Sequence, residues 1–164
     1  YFGGMLLQQQ YVELGLAPAM LGVPILLSSL AGAVAAMIAP KLNWNILTTC
    51  FACIVGVSIG LVVCGAGLLP LAFLGGMIIT GWDGVMEVKM SAHLNEGFPS
   101  NQRATLVSTQ SLCYSLLMLF ASPIAGAICD KLGLNIGLCI MAGVLFAGGA
   151  TSIGLYRAVR KKAA

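Results

Sequence analysis

The chain has 164 residues, of which 59% are hydrophobic and only 8% charged, and its formal net charge is +3 at pH 7. Soluble domains carry roughly 25% charged residues, so the composition excludes a water-soluble globular fold and predicts an all-α, polytopic membrane helix bundle. There is no phosphate-cradling glycine loop, nucleophile–base pair or metal-ligand cluster. No enzymatic activity, cofactor or metal is therefore expected, and any energy source would be an ion gradient.

Residues 1–12 form the first apolar piece. As a helix it would span about 18 Å, short of the ~30 Å hydrocarbon core, so it reads as the tail of a longer helix. With Tyr1 in place of Met, the chain is expected to be part of a longer protein. It has neither the basic start nor the cleavage site of a signal peptide. A second span is predicted over residues 19–39, opened by Pro18 and closed by Pro40, with Pro24 bending it. Ser28, Gly32 and Ala36 recur every four residues there, a small-residue face that admits a close helix neighbour.

No formal charge lies between Leu42 and Trp82. One helix of that length would be about 60 Å long, so two spans and a turn are required. The turn falls at Gly65-Ala-Gly-Leu-Leu-Pro70. The third span is then 44–64, with Gly56 and Gly60 as a packing face, and the fourth is 71–90. A polar loop follows over 92–103. The fifth span is 104–129, and Asp130-Lys-Leu-Gly133 makes a turn. The sixth is 135–156, ending in the basic tail 157–164.

The basic residues set the orientation. With the C-terminus cytoplasmic, Lys41, Lys89, Arg103, Arg157, Arg160, Lys161 and Lys162 all lie inside, and only Lys131 lies outside. That is a strong positive-inside bias. Trp44 and Tyr156 then sit at the inner interface and Tyr11 at the outer one. The tail sets topology and meets anionic lipid. It is too short and too close to the membrane to argue for nucleic acid.

The fourth span carries the chemistry. Gly76, Thr80, Asp83, Glu87 and Ser91 are spaced by four, three, four and four residues, one face of a helix. A carboxylate at the bilayer centre costs about 2.5–3.5 kcal/mol on insertion scales, so it is normally turned to a watery cavity or a partner. Burial raises a carboxyl pKa by disfavouring its charged form, which suits proton coupling. Two readings of Asp83 stay open: a proton- or cation-binding group, or one half of an ion pair at the cytoplasmic gate. Glu87, nearer the interface, is read chiefly as a gate residue that could pair with Arg103. Lys89 is expected to reach the headgroups.

At the central loop the chain resembles a known family. Asn95, Phe98-Pro99, Arg103-Ala-Thr105 and Ser108 resemble the run between the tenth and eleventh helices of major facilitator superfamily transporters, most closely drug–proton antiporter-like members. Pro123-Ile-Ala-Gly126 with Asp130 and Gly133 is similar to the end of that family's eleventh helix. Gln8-Gln-Gln-Tyr-Val-Glu-Leu-Gly15 looks like the outer end of its seventh. The segment Ile38-Ala-Pro-Lys41-Leu-Asn-Trp-Asn45 departs from the family's basic loop motif.

The resemblance covers the whole chain and implies helices seven to twelve, the C-terminal half of a multi-pass transporter in the plasma membrane. It implies a missing N-terminal half as partner, with protons and a small molecule as the transported species. The first and fourth helices of this half would line the pathway, and the third and sixth would face lipid. Alternating access would be rocking of one half against the other.

Beside Asp83 and Glu87, the cavity candidates are Gln8, Gln9, Gln10, Thr80, Gln110 and Tyr114. The glutamines could equally mark the wet outer end of a helix. Asn95, Arg103 and Ser108 are the cytoplasmic gate and loop candidates. His93 reads as a solvated loop residue. The six cysteines read as buried thiols, since Cys50-xx-Cys53 lacks the second ligand pair a zinc site needs.

The reading is proton-coupled efflux of small, drug-like compounds. The first alternative is an importer or exchanger of a small metabolite on the same fold. The second is a membrane fragment that does not itself transport and packs with a partner through its small-residue faces.

Overall fold

In the computed structural model, the backbone is described for residues 2–97 and 100–163, and the side chains for 4–96, 105–156 and 158. The described chain is helical, without a strand. Six α-helices follow one another: α1 (Phe2–Glu13), α2 (Gly22–Ile38), α3 (Ile46–Cys64), α4 (Leu69–Gly97), α5 (Ser100–Leu132) and α6 (Leu134–Ala163). Short 3₁₀ turns, Pro18–Met20 and Ala39–Lys41, bracket α2. Among the described residues, five segments are long and apolar enough to cross a membrane: Pro18–Lys41, Ile46–Cys64, Leu69–Glu96, Thr105–Leu132 and Leu134–Tyr156. The protein is a multi-pass membrane helix bundle.

The prolines act through helix starts. α2 begins only at Gly22, which places Pro24 in its first turn, where the missing N–H has no intrahelical acceptor to lose. The bend expected there gives way to the turn at Pro18–Met20. Among the described residues, Pro123 is the one proline beyond the first turn of a helix, in α5, where it removes one backbone hydrogen bond. The polar segment 92–103 is mostly helical, contrary to the expected loop. Ser91 to Glu96 contain no residue that breaks a helix, so α4 runs on to Gly97 and α5 resumes at Ser100. The connection between α5 and α6 is the single residue Gly133, at φ +82°. A side chain would strain that left-handed backbone.

α4 is the central helix, packed on α2 along one side and α3 along another, while α3 also carries α6. Glycines make these contacts possible. A Cβ on Gly56 would lie 2.0 Å from the Trp82 indole nitrogen, and one on Gly60 would lie 2.6 Å from Ile79 Cγ1. The Gly56/Gly60 face is thus the seat of α4, as its spacing predicts. On the other side, a Cβ on Gly84 would lie 2.6 Å from the Gly32 carbonyl oxygen.

Two apolar clusters close the ends of the bundle. One joins Leu6, Leu7 and Tyr11 of α1 to Leu61, Ala72, Ile79 and Leu138. The other, at the opposite end, centres on Ala39, Cys53 and Val85.

α5 is set apart. No described residue of it before Ala125 is buried, and it packs mainly on α6, where Cys129 joins Leu134, Leu138 and Ala142. A Cβ on Gly137 would lie 2.5 Å from Cys129 Sγ.

The candidate site on the polar face of α4

The polar face of α4 is divided between packing and exposure. Its upper part is covered. The Tyr11 hydroxyl donates to the Ala72 carbonyl (3.5 Å), and its ring meets Phe73 edge-on at 5.2 Å. A Cβ on Gly76 would lie 2.3 Å from the Tyr11 hydroxyl and 3.2 Å from Ser28 Oγ, so Gly76 is the notch that receives both neighbours. Thr80 is half-buried against Gly32, and its hydroxyl donates to the Gly76 carbonyl of its own helix (2.9 Å). One turn further, Asp83 and Glu87 are exposed. They lie at i and i+4, hence stacked along one side of the helix.

Where α1, α2 and α4 meet there is a cleft of about 170 Å³. Gln8, Tyr11, Ser28, Ser29 and Thr80 supply its polar groups. Two of the predicted cavity residues, Gln8 and Thr80, are therefore brought together, on the face of α4 that leads down to Asp83. Ser28 and Ser29 belong to the same site. Sequence reasoning gave Ser28 only a packing role and passed over Ser29, although their adjacency within an apolar span was the available signal.

The three consecutive glutamines have three different surroundings. Gln8 faces the cleft. Gln9 is exposed and donates to Glu13 Oε1 at 3.4 Å. Gln10 is only 1% exposed and turns into the bundle, where its amide nitrogen donates to Asn135 Oδ1 (2.6 Å) and the Cys64 carbonyl (3.3 Å). It holds α1 to the ends of α3 and α6 and does not reach the cleft. Its Oε1 has no hydrogen-bond partner. Asn135, at the start of α6, in turn packs against the α3–α4 turn, its Nδ2 lying 3.2 Å from where a Cβ on Gly67 would be.

Gln10→Ala is expected to cost about 2 kcal/mol, combining lost hydrogen bonds with a small cavity. Gln8→Ala and Gln9→Ala are expected to stay within about 0.5 kcal/mol, as exposed substitutions do. Unfolding by sodium dodecyl sulfate in mixed micelles measures all three.

The remaining candidates are dispersed. Gln110 and Tyr114 are exposed one turn apart on α5, a helix that touches α4 only marginally. Ser108 is exposed on the same helix, and Asn95 is exposed near the end of α4. The Arg103 side chain lies outside the described residues, as does any pairing with Glu87. Lys89 turns away from the carboxylates, and its ammonium donates to the Leu42 carbonyl in the α2–α3 connection. The same carbonyl accepts the Trp44 backbone N–H at 2.8 Å. Lys89 is half-buried, and this hydrogen bond fastens the connection to α4.

Chemically, the arrangement offers neutral hydrogen-bonding groups in a cleft and two stacked carboxylates below it. No protein family, curated protein or solved structure matches the chain.

Proposed function

We propose that this bundle is the C-terminal half of a secondary transporter of the major facilitator type, which exports small amphipathic or cationic compounds in exchange for protons across the plasma membrane. The observation that carries the reading is the exposed Asp83–Glu87 pair on α4, below the Gln8/Ser28/Ser29/Thr80 cleft. A polar path with two ionisable groups inside an apolar span is costly unless it serves a pathway.

In this reading the cleft takes the neutral polar part of a substrate, and the Asp83 carboxylate attracts a cation or binds a proton. Protonation removes the charge and lets the α4 face close against a facing half. Release of that proton on the other side restores the carboxylate. The facing half supplies the second wall of the cavity, and the basic C-terminal end lies in the cytoplasm.

The test uses the native protein in liposomes with an acidic lumen and trapped pyranine, a fluorescent pH indicator. Adding ethidium, a lipophilic cation, outside is expected to speed proton exit and to accumulate the dye inside. Proton leak unchanged by ethidium and by a panel of similar cations would overturn proton-coupled cation export. Uptake of a small metabolite in the same vesicles would favour the importer instead.

A further inference from the structure

Two apolar grooves run along the side of α4 that carries Ile78 and Trp82. One, of about 340 Å³, lies between α4 and α3, with Phe51, Val55 and Ile59 along its outer wall. The other, of about 290 Å³, lies between α4 and α2, with Ala31, Ala35 and Ile38. Ile78 and Trp82 line both, so they form a ridge with a groove on each flank. At 1.5 Å per residue, the two walls run about 12 Å and about 10 Å along the membrane normal. Asp83 and Glu87 are absent from both linings.

The end of this ridge is basic. Leu42, which closes the α2–α4 groove, offers its carbonyl to the Lys89 ammonium, and Lys41 is exposed beside it at the end of the 3₁₀ turn. Lys89 donates one hydrogen bond there and has two further N–H groups. Trp44 is 40% exposed at the start of α3, in the interfacial position such rings favour.

We propose that this face is a binding site for one two-chain anionic phospholipid. Its phosphate sits on Lys41 and Lys89, and its acyl chains lie one in each groove astride Trp82. Charge complementarity selects the headgroup, and the paired grooves select two chains over one. The inference rests on the membrane assignment and not on transport, so it can fail or hold independently of the proposed export.

The test is fluorescence of Trp82 in protein in which Trp44, the other tryptophan of these 164 residues, and any tryptophan elsewhere in the protein are replaced by Phe. The protein is placed in phosphatidylcholine bilayers containing increasing fractions of lipid with brominated acyl chains, which quench on contact. Brominated phosphatidylglycerol is expected to half-quench Trp82 at a mole fraction at least about fivefold lower than brominated phosphatidylcholine. Fivefold corresponds to about 1 kcal/mol, the usual value of one basic residue at an anionic surface.

Lys41→Gln with Lys89→Gln should erase the difference, and Arg at both positions should keep it. Equal quenching by the two lipids in the Trp44→Phe protein overturns the proposal. So does a preference that survives the double glutamine variant. Absence of quenching by either lipid means that protein covers the grooves, and overturns it as well.

Discussion

Asp83→Asn is expected to abolish proton-driven ethidium accumulation while leaving expression and detergent extraction at wild-type levels. Asn keeps the size and a carbonyl acceptor but cannot exchange a proton, so it isolates charge from shape. Asp83 is exposed on α4, so the substitution disturbs little packing.

The informative measurement pairs two assays in the same vesicles: accumulation against a pH gradient, and exchange of labelled for unlabelled ethidium without one. If Asp83 carries the coupled proton, accumulation falls to background and exchange survives. If Asp83 only holds an ion pair at a gate, both fall together. Undiminished accumulation would remove Asp83 from the mechanism. Glu87→Gln, one turn nearer the membrane surface, is expected to slow both assays partially.

The second large effect is structural. Gly75→Leu is expected to destabilise the bundle by about 3 kcal/mol or more, at the upper end for overpacked cores. A Cβ on Gly75 would lie 2.4 Å from Cys64 Sγ, 2.6 Å from the Gly60 carbonyl oxygen and 2.8 Å from the Cys64 backbone nitrogen. Two of these three atoms are main chain, so no rotamer change relieves the clash. α3 and α4 must move apart, and with them the seats of Ile79 and Trp82.

Gly126→Leu in α5 is the matched control. No atom lies within 4 Å of a Cβ there, and Leu is the better helix former by up to about 1 kcal/mol. Detergent-titrated unfolding should separate the two variants clearly. Similar stability for both would mean that α3 and α4 do not cross at these glycines.

The membrane bundle was legible from local properties. Each span is a long apolar run, and hydropathy depends on the residues themselves, so helices long and apolar enough to cross a membrane are readable without their neighbours. The Gly56/Gly60 face was legible for the same reason, because periodic small residues in an apolar helix have few uses besides close packing.

The site was legible only in part. Thr80, Asp83 and Glu87 stand on one helix, and helical spacing alone aligns them. Which members of that stripe are covered depends on neighbours far away in the chain: Tyr11 and Ser28 close over Gly76, whereas Asp83 and Glu87 stay exposed.

The glutamines show the boundary most plainly. Gln8, Gln9 and Gln10 are chemically identical, and their sequence context offers no order among them. Successive helix residues point about 100° apart, so the rotation of α1 about its own axis decides everything. Leu6, Leu7 and Tyr11 set that rotation by packing on α3, α4 and α6, which sends Gln10 to Asn135 and leaves Gln8 in the cleft.

Lys89 followed the same logic. Its sequence position near a span end predicts a headgroup contact, and the α2–α3 connection adds a partner that spacing does not foretell, the Leu42 carbonyl. By itself the sequence determined that the chain is a helix bundle with segments long and apolar enough to cross a membrane, and that Asp83 and Glu87 share one of those helices. The tertiary structure alone decided which polar groups are spent on holding helices together and which are left facing outward, because that depends on helix rotation and on contacts between distant segments.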